Sequence, residues 1–255
     1  MIKMKTVLDL FCGAGGFSLG FRTRNYKIIG VDNWHIAGIT WKENIRGEFI
    51  ESDVMALDID TLPKVDILIG SPPCPQFSTA NPHKTLDLKL VMKFLEIKRK
   101  IKPEYWIMEE VPLVGTECKK LRILKPRYLW AKDFGLPHER KRLFAGNYPV
   151  PDKNPYKGML LPTPLAKMWG YFANSANRDR DRENFKKYFN TEEKYPTIEH
   201  YRVLMGFPER FHFSGCKDHI YRMLGNAVCP PISIALRRAI ENKKTILDYL
   251  NEANK

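Results

Sequence analysis

In the stretch ILIGSPPCPQFSTANP, residues 67–82, a single thiol stands among prolines directly after an aliphatic run. Pro75 biases Cys74 toward an extended backbone, and Pro72 and Pro73 stiffen the approach, so the thiol is aimed rather than left on a mobile loop. As a thiolate such a group is a nucleophile. A second set of residues suits a ligand. In TVLDLFCGAGGFSLG an aliphatic run leads into Gly13, Gly15 and Gly16, which let the backbone turn tightly and approach a bound molecule. Asp32 closes the run IIGVDN and Asp53 follows EFIES. One carboxylate can accept from both hydroxyls of a ribose and the other from the amino group of an adenine. Together these residues outline an adenosine pocket, with Cys74 beside it.

Such placement requires a particular scaffold. Short apolar runs predict strands over Thr6 to Phe11, Lys27 to Val31, Val65 to Gly70, Tyr105 to Glu109 and Leu143 to Gly146. Between them lie helices, the clearest from Leu86 to Lys102, where Leu90, Val91, Phe94, Leu95 and Ile101 recur at helical spacing. Alternating strand and helix predicts an α/β fold with a doubly wound, mostly parallel sheet of the Rossmann-like kind. From Pro149 to Pro196 the pattern dissolves into Pro, Asn, Arg, Asp and Tyr, with NRDRDRENFKKYF at its centre, which predicts a small second domain or insertion. PPISIALRRAIENKKTILDYL then opens with proline and continues as a helix that packs back on the sheet.

The chain has 255 residues, enough for one large domain or one plus a small one, and carries a net charge of +13. That excess suits a polyanionic partner and makes nucleic acid the leading substrate class, with a lysine-rich solvated surface as the plainer alternative. No apolar run is long enough for a membrane span and no signal peptide is expected. Cys12, Cys118, Cys216 and Cys229 are scattered without a disulfide framework and read as small buried hydrophobes in a reducing cytoplasm. Cys216 and His219 form half of a zinc site with no second half nearby, so no metal is expected.

DLFCGAGGFS, PPCPQFS, EEV, HERKR and GNAV occur in this order, and with them the chain resembles the DNA cytosine-5 methyltransferases over residues 5–147 and about 196–236. The resemblance implies a class I methyltransferase fold, S-adenosyl-L-methionine as methyl donor, S-adenosyl-L-homocysteine as product, and no metal. It implies that Cys74 adds to C6 of a cytosine, that Glu109 stabilises N3, and that Arg142, with Arg140 beside it, binds O2. The donor would be held by Asp9, Phe11, Cys12, Gly13, Ala14, Gly15 and Gly16, by Asp32 and Asn33, by Asp53 and Val54, by Pro72, and by Asn226 and Ala227. Phe11 would stack on the adenine. Residues 1–148 and 215–255 would form the catalytic domain and 149–214 a small target-recognition region. The partner implied is double-stranded DNA from which the cytosine is flipped, and the enzyme a monomer in a prokaryotic cytoplasm, at the nucleoid, of a kind that a companion restriction endonuclease can accompany.

Three positions depart from the family pattern. Pro75 follows the nucleophile where Gln is usual, Glu110 stands where Asn is usual, and His138 where Gln leads the arginine motif. None removes a catalytic group. Two other readings share the architecture: a tRNA cytosine-5 methyltransferase, whose extra motif is not seen, and a catalytically silent nucleic-acid-binding protein, which the presence of Cys74, Glu109 and Arg142 disfavours.

Overall fold

The computed structural model describes residues 4–73, 87–115, 126–166 and 178–242. Seven strands form one sheet: Lys5–Leu10 (β1), Tyr26–Asp32 (β2), Gly47–Glu51 (β3), Ile67–Gly70 (β4), Tyr105–Glu110 (β5), Arg127–Trp130 (β6) and Lys141–Gly146 (β7). Their order is β3-β2-β1-β4-β5-β7-β6. β1 to β5 run parallel, while β7 lies antiparallel to both β5 and β6. The predicted doubly wound, mostly parallel sheet is thus observed. The reversal of strand order falls between β1 and β4, and crevices at such a reversal are where open α/β sheets bind ligands.

The central strands read as unbroken apolar runs because both faces are covered. On β1, Val7 belongs to one core with Ile28, Ile67, Ile107 and Phe144, whereas Leu8 and Leu10 belong to the other with Ile29, Leu68, Met108 and Leu143. The first core is closed by the helices His35–Asn44 (α2), Ile198–Met205 (α5), Lys217–Asn226 (α6) and Pro230–Glu241 (α7), through Trp41, Tyr201, Leu204, Leu224 and Leu236 among others. The second is closed by Lys89–Ile101 (α3), whose Val91, Phe94 and Ile97 are buried. The predicted start of α3 at Leu86 lies outside the described residues, as does the end of the C-terminal helix beyond Asn242.

The short helix Gly16–Gly20 (α1) and α7 are almost in backbone contact. Ser233 Oγ donates to the Phe17 carbonyl at 2.5 Å, and a Cβ on Gly20 would lie 2.0 Å from Ser233 Oγ. The glycine is required there by close approach. The C-terminal segment is thereby tied to the turn after β1. The helix Arg178–Phe189 (α4) carries the charged stretch seen in the sequence and buries only Phe185. No helix among the described residues is long and apolar enough to cross a membrane.

Candidate active site

Four chain segments meet at the C-terminal edge of the parallel strands. β1 ends in a strained turn, with Phe11 at φ 57° and Gly13 at φ 51°. The left-handed region is unfavourable for a phenylalanine, and such strain persists only where the surroundings impose it. Cys12 N–H donates to the Val31 carbonyl and Gly15 N–H to the Cys12 carbonyl, fixing the turn. Nothing lies within 4 Å of where a Cβ on Gly13 would be, so the turn faces open space. Ala14 is buried beneath it.

Asp32, at the end of β2, holds the neighbouring loops. Its Oδ2 accepts from Gly13 N–H and its Oδ1 from Trp34 N–H, each at 2.8 Å. Each oxygen retains a lone pair for an outside donor. Burial raises its pKa, partly offset by the backbone bonds and by the charge of Arg222. Asn33 beside it is exposed. Asp53 is exposed after β3, where its Oδ1 accepts from Met55 N–H and caps the turn that begins at the buried Val54.

Asp9 lies deeper, only 1% exposed. Trp41 Nε1–H donates to Ser18 Oγ at 3.0 Å, and the Ser18 hydroxyl donates to Asp9 Oδ2 at 2.5 Å. Asp9 Oδ1 has no partner among the described residues. Burial pushes the carboxyl up to about 7. A buried carboxylate oxygen without a donor is costly unless a ligand supplies one.

The third segment follows β4: Ser71, the buried Pro72 and the exposed Pro73 lead toward the predicted nucleophile. Cys74 itself, with Pro75, lies outside the described residues. The fourth joins β5 to β7. Because β7 is antiparallel, its first residues arrive at the edge where β5 ends, and the ladder sets Glu109 opposite Phe144. Arg142, two residues from Phe144 on the same face, places Nε 3.1 Å from Glu109 Oε1. This is an ion pair without hydrogen-bond geometry, since Oε1 has no hydrogen-bond partner. The Ser71 hydroxyl hydrogen-bonds to the Glu109 side chain. Burial nevertheless raises the Glu109 pKa against the opposing effect of Arg142, Arg140 and Ser71. The adjacent Glu110, on the opposite face, is 2% exposed with Oε1 unpartnered, and burial together with the charge of Glu109 raises it well above the usual range.

Arg140 is 3% exposed. Its terminal nitrogens donate to the carbonyls of Pro164 and Ala227, each at 3.2 Å, so it braces backbone while Arg142 flanks the carboxylate. His138, which stands where the family's Gln is usual, bonds on both sides of its ring. Its Nε2–H donates to the Leu204 carbonyl at 2.9 Å and its Nδ1 accepts from Arg140 N–H at 3.3 Å. Burial pushes its pKa down to about 3, keeping the ring neutral as this pairing requires.

Asn226 ends α6 exposed, and Ala227 follows; a Cβ on Gly16 would come 3.1 Å from Ala227 Cβ and 2.4 Å from the Val228 carbonyl. The glycine turn and the C-terminal motif therefore form one rim. The structure thus brings Glu109, Arg142 and Arg140 together, and gathers the turn, Asp32, Asn226 and Ala227 at the same edge. Ser18, Trp41 and Ser71 were not foreseen, because hydroxyls and an indole inside apolar runs carry no spacing signal. One reading is corrected: Cys216 is exposed at the start of α6 rather than a buried hydrophobe, while Cys12 and Cys229 are buried. Among the described residues no group of three His, Cys, Asp or Glu side chains is placed to hold a metal ion.

The donor set fits the adenosyl methyl donor: an open glycine turn, carboxylates with free lone pairs, and one buried oxygen lacking a donor. The type II methyltransferase M.HgiDI of Herpetosiphon aurantiacus is 28% identical over 98% of this chain and 96% of its own length. The type II methyltransferase M.HindV of Haemophilus influenzae is 27% identical over 91% and 94%. Among solved structures, Entamoeba histolytica methyltransferase EhMeth superposes with a TM-score of 0.65 at 18% identity, covering 95% of this chain and 100% of that one. A Spodoptera frugiperda DNMT2 mutant gives 0.62 at 16% identity, over 93% and 100%. The family model for C-5 cytosine-specific DNA methylase matches residues 5–149 and 146–242. Since that match spans most of its length, the chain belongs to the C-5 cytosine-specific DNA methylase family.

Proposed function

We propose that this protein transfers a methyl group from S-adenosyl-L-methionine to C5 of cytosine in double-stranded DNA, through a transient bond between Cys74 and C6. The observation that carries the reading is the buried Glu109 paired with the partly exposed Arg142, beside the strand end from which the chain runs through Pro72 and Pro73 to Cys74. C5 of cytosine is too weak a nucleophile to take a methyl group unaided. Addition of the Cys74 thiolate to C6 makes C5 enamine-like, and Glu109 meets the charge developing at N3 by delivering a proton there. Burial raises the pKa of Glu109, the direction that favours proton donation to N3. Arg142 lies beside Glu109 to engage O2, and Arg140 braces the segment that carries it. The bound donor supplies an electrophilic methyl. Once C5 is methylated, a base removes the C5 proton, the C6–S bond breaks, and the N3 proton returns to Glu109.

The target atom is inaccessible in a duplex, so the base must be flipped out. The charge of +13 supports phosphate contact along a DNA backbone. Target choice is assigned to residues 149–214, with residues 1–148 and 215–255 as the catalytic body. The type II names of the relatives favour a modification enzyme of a restriction-modification pair; in this reading it is a monomer that acts on cytoplasmic, nucleoid DNA. Incubation of the protein with tritiated donor and duplex DNA tests the proposal. Label is expected in acid-stable 5-methylcytosine of DNA. Label confined to tRNA, or none in either, would contradict it.

A further inference from the structure

Three arginines converge at the edge of the sheet opposite the candidate active site. Arg22 lies between α1 and β2, Arg46 between α2 and β3, and Arg210 in the turn after α5. Arg46 immediately precedes Gly47, where β3 begins, and Arg22 stands four residues before Tyr26, where β2 begins. The length of β2, roughly 20 Å at about 3.3 Å per residue, separates that edge from Asp32. Asn44, at the end of α2, ties in the third segment: its Nδ2 donates to the His212 carbonyl at 2.6 Å and its Oδ1 accepts from His212 N–H at 2.8 Å. Arg46 and Arg210 each lie two residues from that pair. On the other flank, Phe21, just before Arg22, shares a core with Ile45, Phe207 and Phe211. The rings of Phe207, Phe211 and Phe213 meet with centroids 4.7 to 5.2 Å apart, which fixes the turn that carries Arg210.

These charges are not compensated. Burial and, after it, the charges of Arg210 and Arg46 lower the Arg22 pKa, so Arg22 lies within the field of both. None of the three guanidinium groups makes an ion pair or a hydrogen bond among the described residues. The acids around them are engaged elsewhere. Glu43 accepts from the Ser214 hydroxyl at 2.8 Å and lies 3.9 Å from His212, Glu48 pairs with Lys27 at 3.3 Å, and Glu209 acts on Arg202. Like charges held together cost free energy, and the exposed Arg46 and Arg210 are not placed there by core packing. A ligand of opposite charge offsets that cost, and planar forks of N–H donors suit phosphate oxygens. The cluster is an open surface, which suits an extended phosphodiester backbone better than an enclosed small anion, as does the net charge of +13. Since the depth of the sheet separates it from the catalytic edge, the duplex it meets is not the stretch whose cytosine occupies the site.

We propose that Arg22, Arg46 and Arg210 form a second phosphate-binding surface, which holds a segment of duplex DNA other than the one being methylated. The class of polyanion rests on the DNA reading above. The test is calorimetry of the full chain at low salt with a mixed-sequence duplex about one helical turn long, and separately with tripolyphosphate. Wild type is expected to bind two such duplexes per chain, and the joint variant Arg22→Ala, Arg46→Ala, Arg210→Ala only one. The binding phase lost is expected to have a log–log salt slope of about −2.7, at about −0.9 for each of three phosphates. Methylation of saturating long duplex is expected to stay within about twofold. Arg46→Ala alone, at an exposed position, is expected to reduce that slope by about 0.9, and replacement of all three by Lys to keep the second duplex. Wild type that binds one duplex, or a joint Ala variant that still binds two, would overturn the assignment. Loss of both duplexes in Arg46→Ala would overturn it as well, because the cluster would then serve the segment at the active site. Tripolyphosphate bound by wild type and not by the joint Ala variant, with one duplex bound by each, would assign the surface to a free oligophosphate instead. Wild type that transfers no methyl group to DNA would contradict the reading on which the proposal rests.

Discussion

Arg142 Nε stands 3.1 Å from Glu109 Oε1 across the antiparallel junction of β5 and β7. An arginine this close ordinarily depresses a carboxyl pKa, yet Glu109 is raised, because its burial outweighs the pairing. Burial, and after it the charge of Glu109, also raises the neighbouring Glu110. The pair thus combines a carboxyl whose pKa burial raises with an arginine set beside it.

Glu109→Gln is expected to lower the single-turnover methylation rate at least ~100-fold, as for loss of a general acid, with S-adenosylhomocysteine binding retained. Glu110→Asn, which restores the family residue on the opposite face, is expected to stay within about tenfold. The reverse pattern would mean that the motif register is displaced by one residue.

Asp9 gives a pH signature in the ligand-free protein. Its folded pKa of about 7 lies above the ordinary 3.8. Between those values the unfolded chain has lost the proton and the folded chain retains it, so stability falls as pH rises through that window and levels off above it. Asp9→Asn removes the effect. In urea unfolding, the stability of Asp9→Asn relative to wild type is expected to climb from about pH 4 to about pH 7, by up to ~1.4 kcal/mol per unit. A difference constant across that range would show that Asp9 does not titrate as its burial implies.

His138 tests a departure from the family. The neutral ring satisfies a buried carbonyl on α5 and a buried N–H of Arg140. His138→Gln can make both bonds and is expected to cost under about 1 kcal/mol, whereas His138→Leu leaves both groups unpaired at roughly 1–3 kcal/mol each. Thermal or urea unfolding of the two variants checks this; equal costs would remove the hydrogen-bonding explanation.

The arginines of α4 bear on DNA. Arg182 Nη1 lies 3.7 Å from Asp179 and Arg180 Nε 3.7 Å from Asp181, so part of the positive charge of this helix is locally balanced. Replacing Arg178, Arg180 and Arg182 by Ala together is expected to reduce the log–log salt slope of DNA binding by about 0.9 or more, the value of one phosphate contact. Unchanged slope, affinity and methylation pattern would remove α4 from the DNA interface.

The parts of the fold legible in the sequence were those buried on both faces. β1, β2, β4 and β5 stand out as aliphatic runs because helices cover both sides of them. β6 was missed: RYLW is short and half polar, and its pairing with β7 is decided by tertiary contact. The site divides likewise. Glu109 and Arg142 were legible because their motifs keep family spacing, and Asp32 because it ends an apolar run. Arg222 over Trp34 was not, since residues so distant in the chain meet only when α6 docks beside β2. Cys216 was misread because a cysteine's burial depends on which side of a helix start it occupies.

The central claim is that Cys74 bonds covalently to the cytosine it prepares for methylation. Duplex DNA carrying 5-fluorocytosine at the target, incubated with protein and S-adenosylmethionine, tests it directly, since the fluorine cannot leave as a proton does and the adduct persists. The account predicts a denaturation-resistant protein–DNA complex whose cross-linked peptide contains Cys74, and none with Cys74→Ser. A complex that survives in Cys74→Ser, or that maps to Cys12 or Cys229, would contradict it.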